Sequence, residues 1–307
     1  FDKVVYERAQ KSLDFLDASS DLVSGELPNY GSNDGALFFK LTNDDYRVYR
    51  SQLDDLRAVL NGFTYFSSKS SFWYGIQPKQ QTLKTLSAIN TFEKSGYYIV
   101  QDASTKTFIR CGAYKDRPYQ SDNLHIDIWI DGKNVLRDNG SYKYNTSRKL
   151  INYFNGSEGH NTISIDGKDQ MQKGNRFIWN YWIKYAKANL IESPNTFVFN
   201  GEIKGFKHLG SNISHQRIVT KRKGLNEWII KDIISGVENK TSFQYWHFSN
   251  EMIDKLSITS LDRNNKKLDP ILEEKWYSSY YGVKVKSTRL SFKSNTNMFT
   301  TKIIYKK

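Results

Sequence analysis

Two hydrophobic periodicities divide this chain. Near the N-terminus, apolar side chains recur at helical spacing, which predicts helices over residues 1–17 and about 46–60, the second ending near Gly62. A Gly- and Pro-containing loop separates them at residues 21–36. Two helices cannot enclose a core, so we expect them to be the tail of a larger helical domain whose earlier part precedes Phe1.

From about Phe72 the period changes to two. Short runs alternate apolar and polar residues, and turn dipeptides such as Asp131-Gly132 separate several of them. Many short strands with such turns predict an antiparallel β-sandwich, so the fold class is mainly β with an N-terminal helical piece. Residues 261–275 are polar and are expected to form a surface excursion. The predicted strands lie at residues 97–101, 107–111, 125–130, 162–165, 188–191, 196–199, 216–220, 228–234, 242–248 and 298–305.

The charge balance narrows the class of partner. The 307 residues carry 45 Lys plus Arg against 32 Asp plus Glu, a net charge of +13. A basic surface attracts polyanions but does not choose among acidic polysaccharide, nucleic acid and anionic lipid. The basic residues are scattered and no nucleic-acid motif is recognisable. Only the charge would support nucleic-acid binding, so we expect no nucleic-acid partner. The 20 Tyr and 7 Trp either fill a sheet core or stack on sugar rings.

Cysteine and hydropathy exclude other classes. Cys111 is the single cysteine, which rules out an internal disulfide and a Cys-based metal site. No apolar run approaches membrane-spanning length, so no membrane span is expected, and no signal peptide is visible.

Residues 117–171 concentrate the groups that carry chemistry. His125 and Asp127 are two apart on a predicted strand and therefore share a face, opposite the apolar residues of that strand. Such groups suit an acid–base or metal site; the alternative is a hydrogen-bonded loop network at a sheet edge. The other members of this group are Asp138, Asn139, Tyr142, Tyr144, His160 and Asn161.

Three segments in this order resemble the C-terminal β-domain of the heparinase II/III-like polysaccharide lyases. They are PYQSDNL at 118–124, DNGSYKY at 138–144 and HNT at 160–162, and further matches are NYGSNDGALF at 29–38 and DGKDQM at 166–171. The resemblance covers about residues 1–250. It implies that residues 1–75 are the end of a truncated (α/α) toroid domain and that residues 76–307 form the β-sandwich domain.

The resemblance also implies a divalent metal, usually zinc, held by His, Asp and His. Asp138 and His160 match two ligands, whereas Gln120 stands where the first metal His is expected. An amide oxygen is a poorer zinc ligand than imidazole, so the expected metal site is weakened. Pro118 stands where the family carries its catalytic His, and Pro cannot transfer a proton.

The remaining roles follow from the same resemblance. His125, oriented by Asp127, is the candidate replacement imidazole, and Tyr142 is the second candidate catalytic residue. The candidate substrate-binding residues are Tyr144, Asn161 and Asn33. An Asn and a Tyr that the family supplies from earlier toroid segments are expected upstream of Phe1, so a missing N-terminal toroid segment is an expected partner.

The implied reaction is β-elimination at uronic acids of an acidic polysaccharide, in a periplasmic or secreted setting. The alternative is a polysaccharide-binding or structural homologue that has lost the catalytic His. Pro118 and Gln120 favour that alternative.

Overall fold

The computed structural model of the chain describes residues 2–36, 39–67, 70–83 and 87–306. Phe1 and residues 37–38, the end of the 29–38 motif, lie outside the described residues. The α-helices of the described part are α1 (Lys3–Ser19), α2 (Arg50–Asn61) and α3 (Arg148–Asn155). The strands are β1 (Phe63–Thr64), β2 (Lys79–Gln80), β3 (Ile89–Phe92), β4 (Tyr97–Asp102), β5 (Thr105–Arg110), β6 (Ile126–Ile130), β7 (Lys133–Leu136), β8 (Ile163–Ile165), β9 (Gln172–Lys173), β10 (Trp179–Asn180), β11 (Ala186–Glu192), β12 (Thr196–Ile203), β13 (Ser214–Arg222), β14 (Glu227–Ser235), β15 (Ser242–Phe248), β16 (Leu256–Leu261), β17 (Ile271–Tyr280), β18 (Val283–Ser294) and β19 (Met298–Tyr305).

Three antiparallel sheets confirm the predicted mainly-β sandwich. One has the order β11-β12-β13-β14-β19-β16, a second β17-β18-β15-β8, and a third β3-β4-β5-β6-β7. Buried apolar residues from all three form one core. The second and third sheets meet where the Arg137 amide donates to the His247 carbonyl at 3.0 Å. Together they cover the inner face of the first sheet.

Helix α1 packs against the face of the third sheet that points away from the main core, where Ala18 clusters with Ile99 and Phe108. Phe15 of α1 contacts the rings of Phe92 and Tyr97, with centroids 5.1 and 5.3 Å apart. Arg57 of α2 pairs with Asp17 of α1 at 2.5 Å. The helix α2 ends at Gly62, whose φ of 74° gives the left-handed cap that the sequence predicts. The helical piece therefore rests on the sandwich through aromatic contacts.

Two predictions of local structure were wrong. Residues 271–275 were expected in a surface excursion, yet they begin strand β17, which pairs with β18 over most of its length. Much of this hairpin faces solvent, and Lys, Glu and Ser stand among its apolar residues. The hydrophobic pattern that would predict these two strands is therefore weak. Helix α3 was not predicted; Ser147 caps it by accepting from the Leu150 amide at 3.4 Å.

A buried ion pair joins the layers of the sandwich. Strand β13 points Arg217 inward, and its Nε and Nη2 donate to the two carboxylate oxygens of Asp232 on β14 at 2.7 and 2.9 Å. Both side chains are fully buried. Arg217 Nη1 crosses to the opposite layer and donates to the carbonyls of Leu124 and Asn161 at 2.6 and 2.5 Å. His215 and Gln244 donate to the same carboxylate, each at 2.7 Å.

Removing the carboxylate should strongly destabilise the fold. Asp232→Asn leaves the Arg217 charge buried without its partner, which costs about 3 kcal/mol or more of unfolding free energy. Urea unfolding measures this. The exposed pair of Lys3 and Glu7 supplies a control, since Glu7→Gln should change stability by less than about 0.5 kcal/mol. Equal small effects of both substitutions would contradict a structural role for the buried pair.

The same pair predicts a pH dependence. Burial opposes ionisation of Asp232, but the Arg217 charge and the His215 hydrogen bond outweigh it and hold the pKa of the carboxyl well below its usual range. A lowered folded-state pKa adds stability that is complete above the unfolded pKa of about 4 and is lost as pH falls below it. The stability difference between the unaltered chain and Asp232→Asn should therefore shrink from pH 5 to pH 2. A constant difference would contradict this assignment.

Candidate functional site

Loop ends from three strands meet to form a buried polar cluster. His125 precedes β6, Asp138 and Asn139 follow β7, and His160 and Asn161 precede β8. None of these five side chains is more than 4% exposed. The structure thus brings together residues that the sequence analysis grouped, but it places them beneath the surface.

His160 and Asp138 form the most tightly held part of this cluster. His160 Nδ1 donates to the Gly156 carbonyl at 2.8 Å, which directs Nε2 toward Asp138 Oδ2, 3.2 Å away. The other Asp138 oxygen accepts from the Gly140 amide at 2.7 Å. Burial lowers the pKa of His160, but the Asp138 carboxylate outweighs it and raises the pKa to about 9.

The turn at Gly140 admits no other residue. Its φ of 82° lies in the left-handed region, and an added Cβ would clash with the Ser278 carbonyl of β17. The turn consequently holds Asp138 on one side and presents Ser141 and the following residues on the other.

Gln120 lies beside this turn. Its Nε2 donates to the carbonyls of Gly140 and Phe154 at 3.3 and 3.4 Å, whereas its Oε1 is buried without a hydrogen-bond partner. His160 Nε2 faces the Asp138 carboxylate. Among the described residues no three His, Cys, Asp or Glu side chains group as a metal site. A divalent ion at Asp138 and His160 would therefore need a third ligand of another type, and Gln120 stays the predicted one.

The structure buries His125. Its Nδ1 accepts from the Asn161 amide at 2.9 Å, and its Nε2 lies 3.8 Å from Asp127 Oδ2. Both faces of the following strand, β6, are buried. His125 is 4% exposed, so its geometry favours positioning of the loop that carries Asn161 over contact with a substrate.

Asn161 is equally committed within the protein. Its Nδ2 donates to the Ile126 carbonyl at 2.8 Å, and its Oδ1 accepts from the His247 amide at 2.7 Å. It is fully buried. In this geometry the Asn161 amide ties the second sheet to the third, and its substrate contact stays a prediction.

His247 joins this network from strand β15. Its Nδ1 accepts from Asn139 Nδ2 at 2.8 Å, and its Nε2 donates to the Glu158 carbonyl at 2.9 Å. Asn139 Nδ2 also donates to the Tyr153 hydroxyl at 2.7 Å. Burial lowers the pKa of His247 well below its usual range, which keeps the ring neutral. Its distance along the chain from residues 117–171 concealed this contact.

An open cleft of about 560 Å³ lies next to the buried cluster. The described residues that line it include no His, Asp or Glu, and Pro118 forms part of its wall. Its cations are Lys143, Arg148, Lys173 and Arg176, and its aromatic residues are Tyr119, Tyr144 and Phe177. This cleft, called the basic cleft below, therefore combines positive charge with exposed rings.

The aromatic residues of the basic cleft form a connected set. Tyr144 lies edge-on to Phe177, with centroids 5.4 Å apart, and Arg117 lies over Tyr119 and Phe177 at 5.6 and 5.2 Å. Burial and the Asp34 carboxylate raise the pKa of Tyr144, so its hydroxyl keeps its proton and can donate to a ligand.

The other two predicted residues lie at the margin of the basic cleft. Tyr142, with a φ of 60°, packs its ring on Phe154 at 5.6 Å and is not among the lining residues. Asn33 lines an adjoining pocket, and its Nδ2 donates a hydrogen bond to the Tyr46 hydroxyl at 2.8 Å. Of the predicted substrate-binding residues, Tyr144 alone lines the basic cleft.

Comparison with known proteins relates this chain to a protein family. A family model described as "Heparinase II/III-like, C-terminal" matches residues 84–306. A heparin-sulfate lyase of Bacteroides stercoris is 25% identical over 115 aligned residues, and the match covers 32% of this chain and 17% of that protein.

Solved structures share the fold. Heparan sulfate lyase HepC from Pedobacter heparinus superposes with a TM-score of 0.74 at 16% identity, covering 100% of this chain and 48% of that one. A heparinase III structure gives 0.70 at 15% identity, covering 98% and 48%. At such identities the likeness shows the fold alone. The chain spans about half the length of these solved relatives.

If Gln120 occupies a weakened ligand position, Gln120→His should raise zinc affinity by about tenfold or more, since imidazole binds zinc better than an amide oxygen. Isothermal titration with zinc measures this. Gln81→His, at an exposed site, is the matched control and should leave affinity unchanged. No gain in zinc affinity for Gln120→His in a folded protein would contradict the placement of Gln120 at a ligand position.

His160→Ala should remove any stoichiometric metal from the purified protein, and an unchanged metal content would contradict the role of His160 as a ligand.

Proposed function

The chain belongs to the heparinase II/III-like family, and we propose that its basic cleft binds an acidic, uronate-containing polysaccharide as part of a lyase that cleaves by β-elimination. The single observation that carries this proposal is the lining of the cleft by cations and aromatic rings without a carboxylate. A wall of one charge sign concentrates a polyanion, and flat rings pack on the apolar faces of sugars.

β-Elimination sets three requirements. The uronate carboxylate must be neutralised so that the weakly acidic C5 proton can leave, a base must remove that proton, and an acid must assist the departing glycosidic oxygen. Arg148 and Arg176 suit the first task because guanidinium groups bind carboxylates and sulfates in a fork. Tyr144 suits hydrogen-bond donation to the bound sugar.

The base is the group that this chain supplies least well. Pro118 lines the basic cleft at the position of the family's catalytic His, and His125 is too buried to reach a sugar. Tyr142 packs on Phe154 instead of lining the cleft. We therefore propose that the complete reaction uses groups from outside this chain, with the chain contributing one wall of the active site.

The proposal extends to domains, metal and setting. Residues 1–75 would be the end of an (α/α) toroid domain and residues 76–307 the β-sandwich domain. Asp138, His160 and Gln120 would hold a divalent ion, zinc or a harder metal, and the ion would fix the two loops that line the basic cleft. A periplasmic or secreted setting follows from the family resemblance; no helix among the described residues has the length and apolarity to cross a membrane.

A second candidate function is polysaccharide binding without cleavage. Pro118 favours it, because the described lining of the basic cleft contains no imidazole. Absorbance of unsaturated uronate separates the two functions when acidic polysaccharides are incubated with the longest natural protein that contains this chain. Product formation supports the lyase. Binding without product supports the binding protein.

The cations of the basic cleft should dominate affinity. Arg148→Ala with Arg176→Ala should weaken heparan sulfate binding by about tenfold or more and reduce its dependence on salt, since fewer ion contacts remain to be screened. Calorimetry at two salt concentrations measures both effects. Lys94→Ala with Lys133→Ala removes the same charge at exposed positions outside the cleft lining and is the control. Equal losses of heparan sulfate affinity in the two double variants would mean that binding depends on net charge and not on the basic cleft.

A further inference from the structure

A second groove lies across helix α3 from the basic cleft. Its volume is about 620 Å³, and its described lining includes Lys149 of α3, Lys168 of the turn after β8 and Trp276 of β17. It shares Asn152 and Lys173 with the basic cleft. We call it the α3 groove.

The helical geometry of α3 explains why it serves both sides. Arg148, Ile151 and Asn155 line the basic cleft, whereas Lys149, Leu150 and Tyr153 line the α3 groove. Residues three and four apart share a face of a helix, so these two sets point in different directions. The first turn of α3 therefore presents one cation to each depression.

Lys173 lies at the junction. Its ammonium group lies 4.9 Å from the Trp179 ring centroid. Burial, together with Arg148 and Arg117 of the basic-cleft side, lowers its pKa, while Asp169 of the α3 groove raises it. Charges from both depressions thus act on the Lys173 ammonium group, which lies where the two depressions adjoin.

The acidic residues of the α3 groove are largely compensated. Glu158 pairs with Lys275 at 3.4 Å and with Arg289, and Glu274 pairs with Lys286 at 3.1 Å. Asp169 is held by the Ser157 amide at 2.7 Å, and burial raises its pKa to about 6. Lys149 and Lys168, by contrast, are exposed and make no ion pair among the described residues. The free charge that faces solvent in this groove is therefore cationic.

We propose that the α3 groove is a second subsite for the same acidic polysaccharide, so that a long chain crosses α3 at Lys173 and engages both depressions. The inference rests on the proposed function of the basic cleft. Lys149 and Lys168 bind carboxylate or sulfate groups of the extended chain. Lys284 covers one face of the Trp276 indole, and the opposite face packs on a sugar ring. The basic cleft alone holds a short oligosaccharide.

Chain length separates this inference from the proposed function. Calorimetry with heparan sulfate tetrasaccharide and dodecasaccharide on the unaltered chain should show tighter binding of the dodecasaccharide. Lys149→Ala with Lys168→Ala should weaken dodecasaccharide binding by about tenfold and change tetrasaccharide binding by less than about twofold. The double variant Lys94→Ala and Lys133→Ala should leave both affinities within about twofold.

Four results would overturn the inference. Equal losses for both lengths in Lys149→Ala with Lys168→Ala would place these lysines at the basic cleft itself. Equal dodecasaccharide losses in the control variant would leave only a general charge effect. Failure of the unaltered chain to bind the tetrasaccharide would contradict the proposed function as well, whereas tetrasaccharide binding without any gain for the dodecasaccharide would contradict the α3 groove alone.

Discussion

The arrangement of the site depends on one buried guanidinium. Arg217 is fully buried, binds Asp232 on the neighbouring strand through two nitrogens, and donates its third to the Leu124 and Asn161 carbonyls of the opposite layer. A buried ion pair contributes little net stability compared with well-packed apolar residues, but breaking it is costly. Its main effect here is positional: it fixes the loops that precede β6 and β8 to the first sheet.

That constraint explains the division between the buried cluster and the basic cleft. Asn161, His125 and His160 hold one another through hydrogen bonds and short contacts and have little or no access to solvent. The two loops that they and Asp138 support continue into residues that line the cleft, which are Pro118 and Tyr119 in one loop and Ser141, Lys143 and Tyr144 in the other. The buried cluster therefore positions the walls of the proposed binding cleft.

The sequence was a good guide to the fold and a partial guide to the site. Strand β12 and its neighbour β13 alternate buried and partly exposed residues, and this alternation in the sequence is what predicts a strand. Periodicity failed for β17 and β18, where Lys, Glu and Ser face solvent, and for α3, whose eight residues are too few for a clear helical pattern. Motif spacing brought Asp138 and His160 together, but it carried no information on burial or on the partner His247, which comes from a distant strand. The burial of Arg217 could not be predicted from the sequence. A charged residue in a strand is expected at the surface, and only the fold shows that Asp232 lies beside it.

We propose that the exposed cations and rings next to Pro118 form the surface that an acidic polysaccharide contacts. A crystal structure of the chain with a heparan sulfate tetrasaccharide tests this most directly. We expect sugar along Tyr119 and Tyr144, with anionic groups against Arg148 and Arg176. Sugar bound only at another surface, with the basic cleft filled by solvent, would contradict it.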